Sequence, residues 1–197
     1  MAAPPKVDEI EDDAGLVTSS LTDPEAFAQL YDRYFDDIHR YLAARLGRET
    51  ADDLAAETFL IAFRRRAAFD PSRGTAVRPW LYGIATNLVS QHRRSEQRRL
   101  KAIGRMGAEH SVDGHEERAT ARVAAEMLRP ALVRAMRDLS PGERDVVFLS
   151  ALGGLGYEDI AQALGIPSGT VGSRLNRAKA RLRRALGDRT AQDERDS

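Results

Sequence analysis

Six basic residues and no acidic one lie between Ser168 and Arg184. Arg174, Arg177, Arg181 and Arg184 follow at spacings of three, four and three, so on a helix they make one stripe, with Lys179 and Arg183 beside it. Arginine forks match phosphate oxygens and the acceptor edge of guanine, so the chemistry this row supports is the binding of a polyanion. A second basic zone runs from Arg64 to Lys101, with ten bases against Asp70 and Glu96. The first 25 residues carry seven acids against Lys6. The formal net charge of zero therefore hides two basic zones and an acidic start, a segregation that points to a polyanion partner.

The basic row needs a helix with a buried side. Val171, Leu175, Ala178 and Leu182 supply it, at spacings of four, three and four. Upstream, Tyr157–Leu164 places Ile160, Ala161 and Leu164 on one face of a shorter helix. Gly165 ends it through a left-handed C′ residue, and Ile166 before Pro167 is extended. Pro167 or Ser168 opens the longer helix. Helix, glycine turn and a basic amphipathic helix fit a helix-turn-helix whose second helix enters a DNA major groove. A basic helix on a bundle surface is the plain alternative. The turn, the two stripes and the absence of acids together favour DNA. Ser140-Pro141-Gly142-Glu143 is a capping box opening a helix with Val146, Val147, Phe148 and Leu149. Ala124–Asp138 reads as a helix kinked or split by Pro130.

The N-terminal half is also helical. Asp23-Pro24-Glu25 starts a helix whose apolar positions, Phe27 to Leu46, keep helical spacing up to a stop at Gly47. Thr50 caps the next one, where Asp52, Asp53 and Glu57 are either an acidic first turn complementing the helix dipole or a docking face for a basic partner. Phe69 to Gly74 is a loop on composition. Pro79 begins a helix with Leu81, Ile84, Ala85, Leu88 and His92 inside. Tyr82, Thr86, Asn87, Ser90, Arg93 and Arg94 are outward. Trp80, the single tryptophan, is a core residue or a stacking surface for unpaired bases.

Several classes are excluded. No cysteine is present, so disulfides and thiolate metal sites are ruled out. The four histidines lack metal-ligand spacing, and no apolar run approaches the roughly 18 residues of a membrane span. The N-terminus has no secretion-signal pattern. There is no phosphate-cradling loop and no Ser/His/Asp arrangement. The expectation is an all-α, non-enzymatic, cytoplasmic protein without cofactor or metal. It has two small helical domains joined by a flexible linker. An acidic tail over 1–20 is expected to be disordered, followed by a domain over 21–95, a linker over 96–125, a helix-turn-helix domain over 126–187 and a disordered tail over 188–197.

Three stretches in order give a resemblance. Residues 52–63 (DDLAAETFLIAF), 79–88 (PWLYGIATNL) and 139–182 resemble the core-binding, promoter-melting and C-terminal segments of extracytoplasmic-function (ECF) sigma factors of the sigma-70 family. The resemblance implies that the first domain is sigma region 2. It would dock on the β′ clamp helices of core RNA polymerase through Asp52, Asp53, Glu57 and Phe59. Phe69, Arg73, Trp80, Tyr82, Asn87, Arg93 and Arg94 would then capture and melt the −10 element. The second domain would be sigma region 4, gripping the β flap and reading the −35 element through Ser168, Thr170, Ser173, Arg174, Asn176, Arg177 and Arg181. It further implies promoter DNA and an anti-sigma factor as partners. Gly83, Thr86 and Gly172 stand where many relatives carry a basic residue, and Pro167 and Ser168 replace the usual serine-then-aliphatic helix start. The alternative is a helix-turn-helix regulator that binds duplex DNA without core polymerase. A nucleic-acid enzyme would need a carboxylate or metal cluster, and Asp52, Asp53 and Glu57 form the one acidic group available for it.

Overall fold

Phe27, Leu30, Tyr34, Ile38, Tyr41 and Leu42 are all buried along one long helix, and their spacing is the 3.6-residue stripe of the sequence. The computed structural model describes residues 7–71, 76–104 and 132–193. Its helices are α1 (Val7–Ser19), α2 (Ala26–Leu46), α3 (Arg48–Arg65), α4 (Val77–Gly104), the helical residues 132–137 (α5), α6 (Pro141–Ala151), α7 (Tyr157–Leu164) and α8 (Ser168–Asp193). A 3₁₀ turn, Arg66–Ala68, follows α3. No strand occurs among the described residues.

Gly47 ends α2 as its type predicts. Its φ of 89° is open to glycine at little steric cost, and its N–H donates to the Ala43 carbonyl at 2.9 Å. The same residue opens α3, because its carbonyl accepts from Ala51 N at 3.1 Å. Thr50 therefore lies inside the first turn of α3 and is not its cap. At the other end of α2, Asp23 and Pro24 form i−3 turns with Ala26 and Phe27, so the α-helix begins at Ala26.

The acidic start is a second correction. Residues 7–19 are helical where a disordered tail was expected over 1–20. Two docked positions explain this. Val17 is fully buried, and the Asp13 carboxylate is buried against the Arg33 guanidinium and the Tyr34 hydroxyl of α2. A charged carboxylate with both a cation and a hydroxyl donor tolerates burial, so one acid of the run is a structural residue.

In the C-terminal half the capping box forms as read. Glu143 N donates to Ser140 Oγ at 3.3 Å, and Ser140 N donates to Glu143 Oε2 at 2.9 Å. Gly165 takes the left-handed conformation (φ 62°, ψ 38°) between α7 and α8. Ile160, Val171, Leu175 and Ala178 fill the space between α6, α7 and α8. The linker over 96–125 is corrected at its start, because α4 continues to Gly104, and the tail from 188 is corrected in the same way by α8 continuing to Asp193. The rest of the expected linker, and the helix expected over 124–131 with Pro130, lie outside the described residues.

The halves share a seam. Val146, Leu149, Leu155 and Ile160 belong to the same buried cluster as Tyr41, Leu81 and Tyr82. Helix α7 lies against α4 so closely that a Cβ on Gly83 would stand 2.7 Å from the Ala163 carbonyl oxygen. The Gln162 amide pairs twice with the backbone of Ala76, donating to its carbonyl at 3.2 Å and accepting from its N–H at 3.4 Å.

Candidate functional site

The basic stripe of α8 is outward. Burial of Val171, Leu175 and Ala178 turns Ser173, Asn176, Arg177 and Arg181 to solvent, with Arg174, Ser168 and Thr170 half-buried. Ser173 Oγ donates to the Thr170 carbonyl at 3.0 Å, a local bond that satisfies its hydroxyl. The Arg174 guanidinium lies beside Gly142, where a Cβ would come within 2.9 Å of Nη1. Arg177 and Arg181 converge on Glu143 of α6. Arg177 Nε donates to Oε1 at 3.3 Å, and Arg181 Nη1 donates to Oε2 at 2.6 Å. Burial opposes ionisation of Glu143, yet the Ser140 N–H and hydroxyl and the two guanidinium groups hold its carboxyl below the usual range. The local sequence pattern shows Glu143 only as a cap. Its second contact joins residues 34 and 38 positions apart and leaves no local pattern.

On α3, Asp52, Asp53 and Glu57 are exposed, and the Asp52 carboxylate lies 2.7 Å from His39 Nε2. Phe59 is only 4% exposed, covered by the rings of Tyr31 (4.9 Å between centroids) and Phe35 (6.2 Å). The apolar groups that reach solvent here are Tyr31 and Leu60, whose helical spacing alone does not distinguish them from the core.

The α4 residues divide. Asn87 and Arg94 are exposed. Phe69 and Trp80 are half-buried, with tilted rings 5.0 Å apart. Arg73 lies outside the described residues. Tyr82 and Thr86, expected to face outward, are buried. Tyr82 packs edge-on against Tyr41 and lies under Gly153 of the C-terminal half, where a Cβ would come 3.3 Å from its ring. Thr86 Oγ1 shares a hydrogen bond with the Tyr41 hydroxyl at 2.7 Å. The physical reason is that α4 is covered on two sides, by α2 and α3 and by α7. Arg93 is half-buried, and its Nη2 donates to the Arg45 carbonyl at 3.1 Å. Burial first, then the charges of Arg45 and Arg144, bring its pKa down to about 10 against the opposing pull of Asp145.

Fold and surfaces together define a protein whose described residues are helical, with a C-terminal helix-turn-helix and an exposed acidic row on α3. No three His, Cys, Asp or Glu residues group as a metal site among the described residues. Residues 30–99 match the family model Sigma-70 region 2, and residues 129–182 match Sigma-70, region 4. The ECF RNA polymerase sigma factor BldN of Streptomyces coelicolor is 36% identical over 166 residues, a match spanning 83% of this chain and 61% of BldN. The ECF RNA polymerase sigma factor SigC of Mycobacterium tuberculosis is 34% identical over 146 residues, covering 74% of this chain and 75% of SigC. The sigma factor RpoE from Bartonella quintana, solved in complex with the anti-sigma factor NepR, has the same fold. It superposes with a TM-score of 0.61 at 23% identity, covering 82% of this chain and 96% of that one.

The chain belongs to the sigma-70 family of RNA polymerase sigma factors, in its ECF group. Among the described residues, no helix is long and apolar enough to cross a membrane.

Proposed function

We propose that this chain binds core RNA polymerase and directs promoter recognition and melting, acting in the cytoplasm as a non-enzymatic initiation factor. The observation that carries the proposal is the presence in one chain, in order, of a region 2 match with an exposed acidic row and a region 4 match with an exposed basic row. The row Asp52, Asp53 and Glu57, flanked by exposed Leu60 and Tyr31, suits a basic and partly apolar partner surface such as the β′ clamp helices. The α8 row suits the −35 duplex: arginines on phosphates position the helix, and Arg174, Asn176 or Arg177 on base edges discriminate. Exposed Asn87 and Arg94, with the Phe69 and Trp80 rings, are the groups available to an unpaired −10 strand.

Tyr82 reaches that strand only when α7 leaves α4, because Gly153 and the C-terminal half cover it. The free chain is therefore read as a resting form that core polymerase opens. An anti-sigma factor, the partner of RpoE in its solved complex, is the kind of protein that would hold the closed form.

Run-off transcription with core polymerase on a pool of genomic templates tests the reading. Promoter-specific transcripts that depend on the added chain are expected. Tight operator-type binding by the chain alone, with no specific transcript, supports a duplex-binding regulator instead.

A further inference from the structure

The recognition helix carries its arginines against a buried acid from another helix. We infer that Glu143 is a positioning residue for DNA reading: it holds Arg177, and with it Arg181, in the orientation in which their free donors meet the duplex. The inference rests on the placement of α8 at promoter DNA.

The geometry is specific. The Glu143 side chain is 4% exposed, whereas Arg177 and Arg181 are 57% and 49% exposed. The carboxylate is thus an interior anchor, and the guanidinium groups extend from it into solvent. Oε1 takes Arg177 Nε, and Oε2 takes Arg181 Nη1. When Nε is engaged from behind, the Nη1 and Nη2 edge of Arg177 stays free and points away from the carboxylate. That edge is a two-donor fork of the type that meets guanine O6 and N7 or two phosphate oxygens. An unanchored arginine loses side-chain entropy on ordering at an interface, so a prior anchor reduces the cost of binding in one orientation.

The anchor is itself fixed. Ser140 donates its N–H at 2.9 Å and its hydroxyl at 2.8 Å to Oε2, so the capping box holds the carboxylate where α8 passes. Arg177 and Arg181 are four residues apart, the spacing that lets one carboxylate serve both from a facing helix. Arg174, one turn earlier, lies against Gly142 in the same α6 turn. The first turn of α6 is in this way the back wall of the reading helix.

The test uses the full chain with core RNA polymerase on promoter duplexes randomised across the upstream element, read by sequencing the transcripts. Arg177→Ala, Glu143→Gln and Ser140→Ala are compared. Glutamine at the third helical position keeps the capping box and removes the charge. Glu143→Gln should lower base preference about five- to tenfold at the one or two positions that Arg177→Ala also flattens, within the discrimination a bidentate contact supplies. Core affinity should stay close to wild type, the melting temperature should fall because the ionised carboxylate also stabilises the fold, and at those positions the double variant should lose no more base preference than Arg177→Ala alone. Ser140→Ala should lower the melting temperature yet keep the base preference, because the residue 140 N–H still donates to Oε2 and the carboxylate keeps both arginines, which separates positioning from capping. An equal change at every position, or a uniform gain in binding, would show that Glu143 only screens the basic helix and overturns the inference. If Glu143→Gln fails to fold, Glu143→Asp replaces it, keeping charge and cap on a shorter arm. The same position-specific loss supports the inference, and unchanged preference overturns it. If Arg177→Ala itself flattens nothing, the placement of α8 fails first. If Arg177→Ala flattens a position and Glu143→Gln does not, only the role of Glu143 fails.

Discussion

Arg45 of α2 and Asp145 of α6, one hundred residues apart in sequence, form a buried ion pair that joins the two halves of the molecule. Their side chains are 2% and 16% exposed. The Arg45 guanidinium also donates to the Tyr41 hydroxyl at 2.5 Å and lies over the Phe148 ring at 5.3 Å. A buried pair adds little net stability over an apolar pair, but removing one partner leaves the other charge buried alone. Asp145→Ala is expected to cost about 3–5 kcal/mol. Urea unfolding measures this, and a loss below about 1 kcal/mol would mean that water reaches Arg45 readily.

Gly83 tests the seam from the other side. A mid-helix glycine replaced by alanine ordinarily gains about 0.5–1 kcal/mol. Here the new Cβ meets the backbone carbonyl of Ala163 at 2.7 Å, so Gly83→Ala should push α7 off α4. The chain has no cysteine, so a labelled pair introduced at exposed Arg40 and Arg184 reports the distance between the halves. Reduced energy transfer is expected, together with tighter promoter binding by the free chain. Unchanged transfer with a gain in stability would place the seam elsewhere.

The acidic row of α3 is exposed, so changing it should spare the fold. Asp53→Lys with Glu57→Lys is expected to weaken association with core polymerase at least tenfold, measured by competition binding. Thermal stability should stay within about 0.5 kcal/mol, the usual range for surface changes. Salt should narrow the difference, because exposed charges are screened at a Debye length of about 8 Å.

Alkaline pH should loosen the molecule through its buried tyrosines. Burial first, and then Asp37, push the Tyr82 hydroxyl up to about 12, with Arg78 opposing, and burial raises Tyr41 also. The folded state then holds these protons more tightly than the unfolded chain. Their contribution is fully present below pH 10 and is lost as pH climbs toward 12, at up to about 1.4 kcal/mol per pH unit for each proton. Arg93, brought down to about 10, has the opposite sign over the same range and offsets part of the loss. Urea midpoints between pH 9 and 11 should fall for the wild type and fall less steeply for Tyr82→Phe. Equal slopes would mean that Tyr82 is hydrated.

Acid pH should act through Glu143. Its carboxyl is held low despite burial, because the Ser140 donors and the two arginines favour the anion. That stabilisation is present above the ordinary carboxylate range and is lost as pH falls through the lower folded value. Glu143→Gln should therefore flatten the acid limb of the stability curve, and an unchanged limb would assign the loss to other carboxylates.

The sequence alone determined the parts whose signals are local. The capping box at Ser140, the left-handed Gly165, the stop at Gly47 and the two stripes of α8 each lie within a few residues, and each forms as the spacing predicts. Only the tertiary structure decided the rest. Tyr82 and Thr86 read as outward because periodicity describes one helix against one core, whereas α4 is covered on two sides and has less free face than its polarity suggests. Asp13 read as part of a solvated acidic run because its partners, Arg33 and Tyr34, lie 20 and 21 residues away. Arg45 with Asp145, and Glu143 with Arg177 and Arg181, join residues that no local pattern relates. Burial of a charge is decided by what a distant segment brings to it, and that is a property of packing rather than of spacing.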